Sequence, residues 1–404
     1  MWNCAKKIVR ISAWILTLLL SKTSYSQTDS LVVDTAAVLN ATSTSTNAMP
    51  GSFFGKPLYD FINPSREGLR PTAFYSSDDR FFVGLNYNRF SNNWQPDSTG
   101  ARHQVYAHYS INQNAFSVAY QGIYHQLIGR WNLLVEAGYD WERWINFSGL
   151  GNESLPQTGD ADFFRIRSRE GTLKVGFQHR IGQQSVVLLT PFYQQIQLLR
   201  DDDRFLAKAS FEGKALKNYE ASHFGGLRAD LQLQRLNDLL LPTKGIAFST
   251  GVAHVRNLAS PKAYTNFSAD TRLYFPLFQH FVYSVAGGAA TLVGEPEFYQ
   301  LNSIGDNTLR GFRGDRFWGE TVFHNNNELQ YLFDAPQKLF HGKMGALIFF
   351  DQGRVWKKGE TSDQWHYGYG VGIILAAYQK ASLSVQYAIS NERKGFHLQL
   401  RSAL

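Results

Sequence analysis

The chain has 404 residues, 44% of them hydrophobic, 18% charged and 15% aromatic, with 34 Gly, a single Cys and a formal net charge of +7. That balance excludes a disordered tail, a collagen, a coiled coil and a disulfide scaffold. Beyond the N-terminus no run reaches the roughly 18 apolar residues that a spanning helix needs, and mean hydropathy is −0.29. A mature chain that lives in a membrane must therefore cross it as strands.

The first 26 residues read as a secretory signal peptide. Lys6, Lys7 and Arg10 form a positive start, Ile11 to Leu20 an apolar core, and Ser24-Tyr25-Ser26 a small-x-small cleavage site. This segment carries Lys6, Lys7, Arg10 and Lys22 and no acidic residue, so its removal leaves a net charge of +3. The nucleic-acid partner suggested by a pI near 9.2 then loses its support. Cys4 leaves with the signal, which excludes disulfides, cysteine nucleophiles and thiolate metal sites from the exported chain. Residues 27–65 follow as a short periplasmic pre-domain, with a Ser/Thr/Ala stretch at Asn40 to Asn47 that reads as a flexible linker.

Residues 66–404 have one texture, apolar–polar alternation between turns rich in Gly, Asn, Asp and Pro. In Trp131 to Trp141 the odd positions are apolar; Leu383, Val385, Tyr387 and Ile389 alternate with Ser382, Ser384, Gln386 and Ser390. Period two gives each strand one apolar and one polar face. A soluble sandwich would hide the apolar face and a membrane barrel would show it to lipid. The polar face here is Gly, Ser, Asn, Gln and Tyr rather than Lys, Glu and Thr, and aromatics sit at strand ends, such as Trp131 with Trp141 and Tyr331 with Phe333. Both features favour the barrel and its interfacial girdles.

At about 20 residues per strand and connection, this region holds about 16 strands. The expected spans are 68–77, 80–90, 102–111, 114–126, 130–141, 161–181, 184–199, 221–234, 245–255, 263–275, 280–292, 319–333, 342–352, 364–376, 381–390 and 394–404. Parity then puts the long connections 142–160, 200–220 and 293–318 outside the cell. At Gly171 the apolar phase slips between Phe164-Ile166 and Leu173-Val175-Phe177, which reads as a bulge.

The segment Asn302 to Phe333 carries a resemblance. Leu309-Arg310-Gly311-Phe312 is similar to the (V/I/L)-R-G-(F/Y) signature in the sixth external loop of the outer-membrane assembly and translocation barrels, the superfamily of BamA, TamA and the two-partner secretion transporters. Three further pieces fall in family order. Asp238-Leu-Leu-Leu-Pro-Thr-Lys-Gly245 resembles the D-x(n)-P-T-(R/K)-G turn, and Asn327-Glu328-Leu329 the strand after the loop. Phe349-Phe-Asp-Gln-Gly-Arg-Val-Trp356 resembles the F-x-D-x-G-x-V-W strand, with the glycine-rich Gly368-Tyr-Gly-Val-Gly372 beyond it. Asn146 to Glu153 resembles a loop of relatives fused to patatin or phosphoesterase domains, which are absent here. Residues 27–65 are too short for a POTRA domain, so the chain resembles a barrel-only branch. Its C-terminus ends on Leu404 rather than the usual aromatic.

The resemblance implies an all-β fold, a 16-stranded antiparallel transmembrane β-barrel with a long inward-folded sixth extracellular loop. It further implies that Arg310 lies in the lumen against acidic groups on two strands. Alternation selects Glu328, which shares a face with Asn326 and Gln330, and Asp351, which follows outward Ala346, Ile348 and Phe350. Gly311 allows a close turn, Phe312 completes the motif, and a guanidinium fork engages two carboxylates where an ammonium could not. Arg313, Asp315 and Arg316 read as surface charges of the loop.

Weaker signals point elsewhere. His108 and Ser110, two apart on one strand, are reminiscent of an outer-membrane phospholipase pair, but no third orienting group stands nearby. Asp201-Asp-Asp203 lacks ligand-spaced partners for Ca²⁺, and no cofactor, metal or phosphate-loop motif appears. The leading expectation is an outer-membrane barrel, not an enzyme, that aids insertion or translocation of client outer-membrane or secreted proteins, or of lipids. The alternative is a structural anchor or passive pore for a periplasmic partner bound through residues 27–65. Outer-membrane lipid is a partner in either case.

Overall fold

The computed structural model describes residues 67–404 except 77–79, 92–99, 112–114, 158–160, 209–218, 337–339, 379–380 and 403–404. The expected signal peptide and pre-domain lie outside the described residues. The strands in chain order are β1 (Gly68–Ser76), β2 (Arg80–Phe90), β3 (Ala101–Ser110), β4 (Ala115–Ile128), β5 (Trp131–Asn146), β6 (Arg165–Ile181), β7 (Ser185–Leu199), β8 (Ser222–Leu236) and β9 (Gly245–Asn257). They continue with β10 (Ala263–Pro276), β11 (Phe281–Gly294), β12 (Asn302–Ile304), β13 (Phe317–Gly319), β14 (Thr321–Asp334), β15 (Gly342–Trp356), β16 (His366–Ala377), β17 (Ala381–Ile389) and β18 (Lys394–Ser402). Sixteen of them form one antiparallel sheet in which each strand pairs with the next, running β1 to β11 and then β14 to β18. The remaining two, β12 and β13, form a small hairpin inside the β11–β14 connection.

The alternation in the sequence becomes two faces. On β16 Tyr367, Tyr369, Val371 and Ile373 are exposed on the outer face. Their neighbours on the inner face are Gly368, Gly370 and Gly372. On β15 Leu347, Phe349, Asp351 and Val355 are buried inward, while Ile348 and Phe350 are exposed outward. An outer wall of apolar side chains is what a hydrocarbon solvent demands, and each strand bonds its backbone to the next along the sheet.

The expected strand boundaries agree with the observed ones to within a few residues, but the irregularity does not sit at Gly171. β6 is one uninterrupted strand, and the register slips on its partner, between Asp140 and Arg143 of β5, opposite Ser168 to Glu170. The extra residue reverses the facing of β5, so that Ile145 points inward although Leu134 and Glu136 also do. On β6 the alternation never breaks, since Ile166, Ser168 and Glu170 are all buried inward. Ile166 is apolar there because the long-loop end of the lumen holds a hydrophobic core. Ile145, Ile166, Ile196, Leu198 and Phe224 of the wall and Phe147 of the β5–β6 connection pack on Leu301 and Trp318 of the β11–β14 connection.

At the opposite end the Asp238–Gly245 turn is held by its own side chains. Asp238 Oδ1 accepts the amides of Leu240 and Leu241 at 2.8 and 2.9 Å, and Asn237 Oδ1 those of Thr243 and Lys244 at 3.0 and 2.9 Å. Leu241 packs beside the inner cluster of Tyr274, Leu347, Phe349 and Ile374. A sheet of sixteen consecutively paired strands should resist SDS at room temperature. The unboiled protein is expected to migrate differently from the boiled protein on SDS gels; recovery as a soluble monomer from the periplasm would contradict this architecture.

Candidate functional site

The β12–β13 hairpin carries residues 305–316 into the barrel. Arg316 N–H bonds Ile304 O at 3.0 Å, and Gly305 holds a φ of +154° where a Cβ would overlap the Arg313 carbonyl oxygen. At its tip Gly311 has a φ of +93°, a left-handed conformation that favours glycine. Its carbonyl accepts Ser390 Oγ at 2.8 Å. Leu309 and Phe312 are buried in a cluster with Ile304, Phe317, Val322 and Val355, so apolar packing flanks the arginine on both sides.

Arg310 reaches three strands at once. Its Nε and Nη2 donate to the two oxygens of Asp351 at 2.6 Å each, and its backbone N–H adds a third bond to Asp351 Oδ2 at 3.1 Å. Nη1 donates to Glu328 Oε1 on β14 and to Gln386 Oε1 on β17 at 2.9 Å. The guanidinium lies 3.7 Å from the centre of the Phe349 ring. Glu328 is held from behind by Gln330 Nε2 at 2.9 Å, and Gln386 donates to Ser384 Oγ at 2.8 Å. Arg310 is 5% exposed and Asp351 0%. Burial disfavours the Arg310 cation, but the Asp351 bonds and the Glu328 charge outweigh it and hold the guanidinium above its ordinary pKa.

The glycines of β16 explain how the loop comes this close. A Cβ at Gly368 would overlap the Arg310 carbonyl oxygen, and one at Gly370 would press on the Phe349 ring. The inner face of β16 is bare so that backbone and ring can lie against it.

Arg316 is not a surface charge but one of the largest fully buried side chains, at 1% exposure. It forks onto Glu392 of the β17–β18 turn at 2.7 and 2.6 Å. It also donates to Ser148 Oγ at 2.8 Å, to Ser154 Oγ at 2.7 Å and to the Leu155 carbonyl at 3.0 Å, all in the β5–β6 loop. That loop is fastened further by Asn152, whose Oδ1 accepts Val355 N–H at 3.0 Å, and by Gly151 N–H, which bonds the Trp318 carbonyl at 2.8 Å. Three connections thus meet on one buried cation. Asp315 is half-buried and accepts Ser303 Oγ at 2.7 Å. The clue to Arg316 lay in the Asn146–Glu153 stretch, whose partner the sequence left unassigned.

His108 and Ser110 both lie on the inner face of β3, and the His108 ring stacks on Tyr106 at 5.3 Å. Asp201 pairs with Arg204 at 2.5 Å and Asp202 with Arg200 at 2.8 Å, so these carboxylates engage arginines. Among the described residues no group of His, Cys, Asp and Glu is arranged to hold a metal.

A sixteen-stranded antiparallel barrel whose lumen holds an inward-folded loop, pinned by a loop arginine to carboxylates on the wall, defines a class of protein. The chain belongs to the Omp85 superfamily: residues 61–400 match the Omp85 superfamily domain. Among solved structures it is similar to BamA from Haemophilus ducreyi lacking POTRA domains 1–3, with 14% identity, a TM-score of 0.62, and coverage of 83% of this chain and 70% of that one. It is also similar to CdiB from Escherichia coli (13% identity, TM-score 0.53, 82% and 60% covered). CdiB from Acinetobacter baumannii is a further match (10%, 0.52, 80% and 57%). The chain therefore spans less than two thirds of either CdiB chain. No curated protein sequence matches it.

Gly368→Ala tests the close approach without touching a charge. Because the new methyl would occupy the place of the Arg310 carbonyl, the loop must lift. Limited proteolysis should then cut within residues 302–319 in a barrel that still shifts on SDS gels, while Gly287→Ala on β11, where a Cβ would make only ordinary contacts at 3.8 and 3.9 Å, leaves the loop resistant.

Proposed function

We propose that this chain acts at the bacterial outer membrane in the insertion or passage of proteins or lipids, with the β11–β14 loop as a latch in its lumen. Membership of the Omp85 superfamily supports the coarse reading, and the likeness of its barrel to BamA and CdiB supports the finer one. The observation that carries the latch is the Arg310 tie. One buried cation joins a mobile class of element, a loop, to β14, β15 and β17.

The geometry favours this over a passive pore. A pore needs an open lumen, whereas here Ile304, Leu309, Arg310, Phe312, Arg316 and Phe317 of the connection are buried against the wall and the Arg316 fork fastens it to two neighbouring connections. A structural anchor remains distinguishable by its partner: pull-down of the native protein from outer membranes would return one stable periplasmic protein rather than client proteins.

Arg310→Ala leaves Asp351 buried without its counter-charge, which costs about 3–5 kcal/mol for a buried pair. The loss falls on seating of the loop, not on the sixteen strands. The variant should fold, expose residues 302–319 to protease at least about a hundredfold faster, and impair outer-membrane assembly in the host. Arg310→Lys should rescue poorly, because an ammonium cannot span both oxygens of Asp351 while reaching Glu328. A cysteine pair at positions 310 and 351, with Cys4 the sole natural cysteine, should crosslink in native membranes. Failure to crosslink, together with wild-type behaviour of Arg310→Ala, would overturn the latch.

A further inference from the structure

The arginines at the long-loop end of β5–β7 are almost all neutralised. Arg165 pairs with Asp162 at 2.9 Å, Arg204 with Asp201 at 2.5 Å, and Arg143 with Glu170 at 3.2 Å. Arg167 forks onto Glu142 with two bonds of 2.7 Å. Arg169 is the exception. Its neighbours Ser168 and Glu170 are buried inward, so it stands on the outer wall; among the described residues no carboxylate pairs with it, and its Nε is buried, so any external ligand must meet its Nη groups. What it has is Trp141, whose ring lies 4.1 Å from the guanidinium carbon.

The surroundings place this cation at a membrane interface. Tyr139, Trp141 and Tyr193 are each 39% exposed on the outer faces of β5 and β7, at the level of an aromatic girdle. Arg169 pairs across the sheet with Gln197, and Gln195 is two residues further down the same face. The β5 bulge lies beside them, opposite Ser168 to Glu170, and it turns Trp141 beneath the guanidinium. The Nη donors of Arg169, a ring that fixes their plane and the Gln195 amide, beside Gln197 whose Nε2 donates to the Tyr219 carbonyl at 3.4 Å, form a receptor for a phosphate at the depth where lipid headgroups lie.

We propose that Arg169, backed by Trp141 and flanked by Gln195 and Gln197, binds the phosphate of a membrane-lipid headgroup on the outer wall of the barrel. The neutralised arginines around it are structural, which leaves one donor fork for an external anion. The site rests on the membrane-barrel reading but not on the loop latch, since it lies on the opposite face of the wall.

The test titrates three probes into the purified barrel in neutral detergent, with binding followed by native mass spectrometry: bisphosphorylated lipid A, its dephosphorylated form and inorganic phosphate. The expected result is one retained lipid A, weakened about tenfold or more by Arg169→Gln and by removal of the lipid's phosphates, and unaltered by Lys343→Gln at the other end of the barrel. SDS-gel mobility reports separately that each variant is a folded barrel. Equal retention by wild type and Arg169→Gln would overturn the proposal, as would equal retention of the dephosphorylated lipid. Binding of inorganic phosphate without lipid A would show an anion site that lipid does not use, and would overturn it too.

Discussion

A buried guanidinium must have its donors met, and the rest of this structure is arranged around that demand. Arg310 brings five N–H groups and a positive charge into a space with 5% exposure. The wall answers with Asp351, Glu328 and Gln386 from three strands and with the face of Phe349. Phe349 and Asp351 share one face of β15, and the sheet register brings Glu328 and Gln386 of other strands to them, with Asn326 opposite Asp351 and Glu328 opposite Phe349. The loop is therefore seated by a contact that exists only when the β14–β17 wall is complete.

The same demand accounts for features that look unrelated. β16 is glycine on its inner face because the Arg310 carbonyl occupies the side-chain space at Gly368, the Phe349 ring and Tyr387 carbonyl that at Gly370, and Gln386 that at Gly372. Gly311 sits at a positive φ because the chain must reverse just after the arginine, against Ile389 and Ser390. Arg316 repeats the principle one level nearer the rim, with Glu392 as the counter-charge and serines and carbonyls of the β5–β6 loop as the remaining acceptors. Between the two arginines, Leu309, Phe312 and Phe317 form a buried apolar seam. A low-dielectric setting strengthens both contacts and makes it costly to break one partner alone.

Much of this was legible in the sequence because a barrel strand writes its facing in period two. Strand positions followed from alternation and turn residues, and Glu328, Asp351 and Gln386 could each be assigned to the inner face from their neighbours. The signature residues Arg310 and Gly311 then indicated which loop would meet them. Alternation alone failed at Gly171, where Ile166 is apolar but inward. A strand rule that equates apolar with lipid-facing has no way to anticipate a hydrophobic core inside the lumen. Arg316 escaped for a related reason. Its partners Ser148, Ser154 and Glu392 lie in two other connections, far away in sequence, and loops carry no periodicity from which a meeting can be read. Arg169 was hidden too, because its lack of a carboxylate partner is visible only once every other arginine nearby has found one.

The claim at the centre of this account is that the loop is a buried, bonded part of the barrel. Amide hydrogen exchange on the folded protein measures this most directly. The amides of Arg310, bonded to Asp351, and of Arg316, bonded to Ile304, should exchange as slowly as those of β14 and β15 in the wild type, and should lose that protection in Asp351→Ala while the strands keep theirs. Exchange of residues 305–316 at the rate of an exposed loop in the wild-type protein would contradict it.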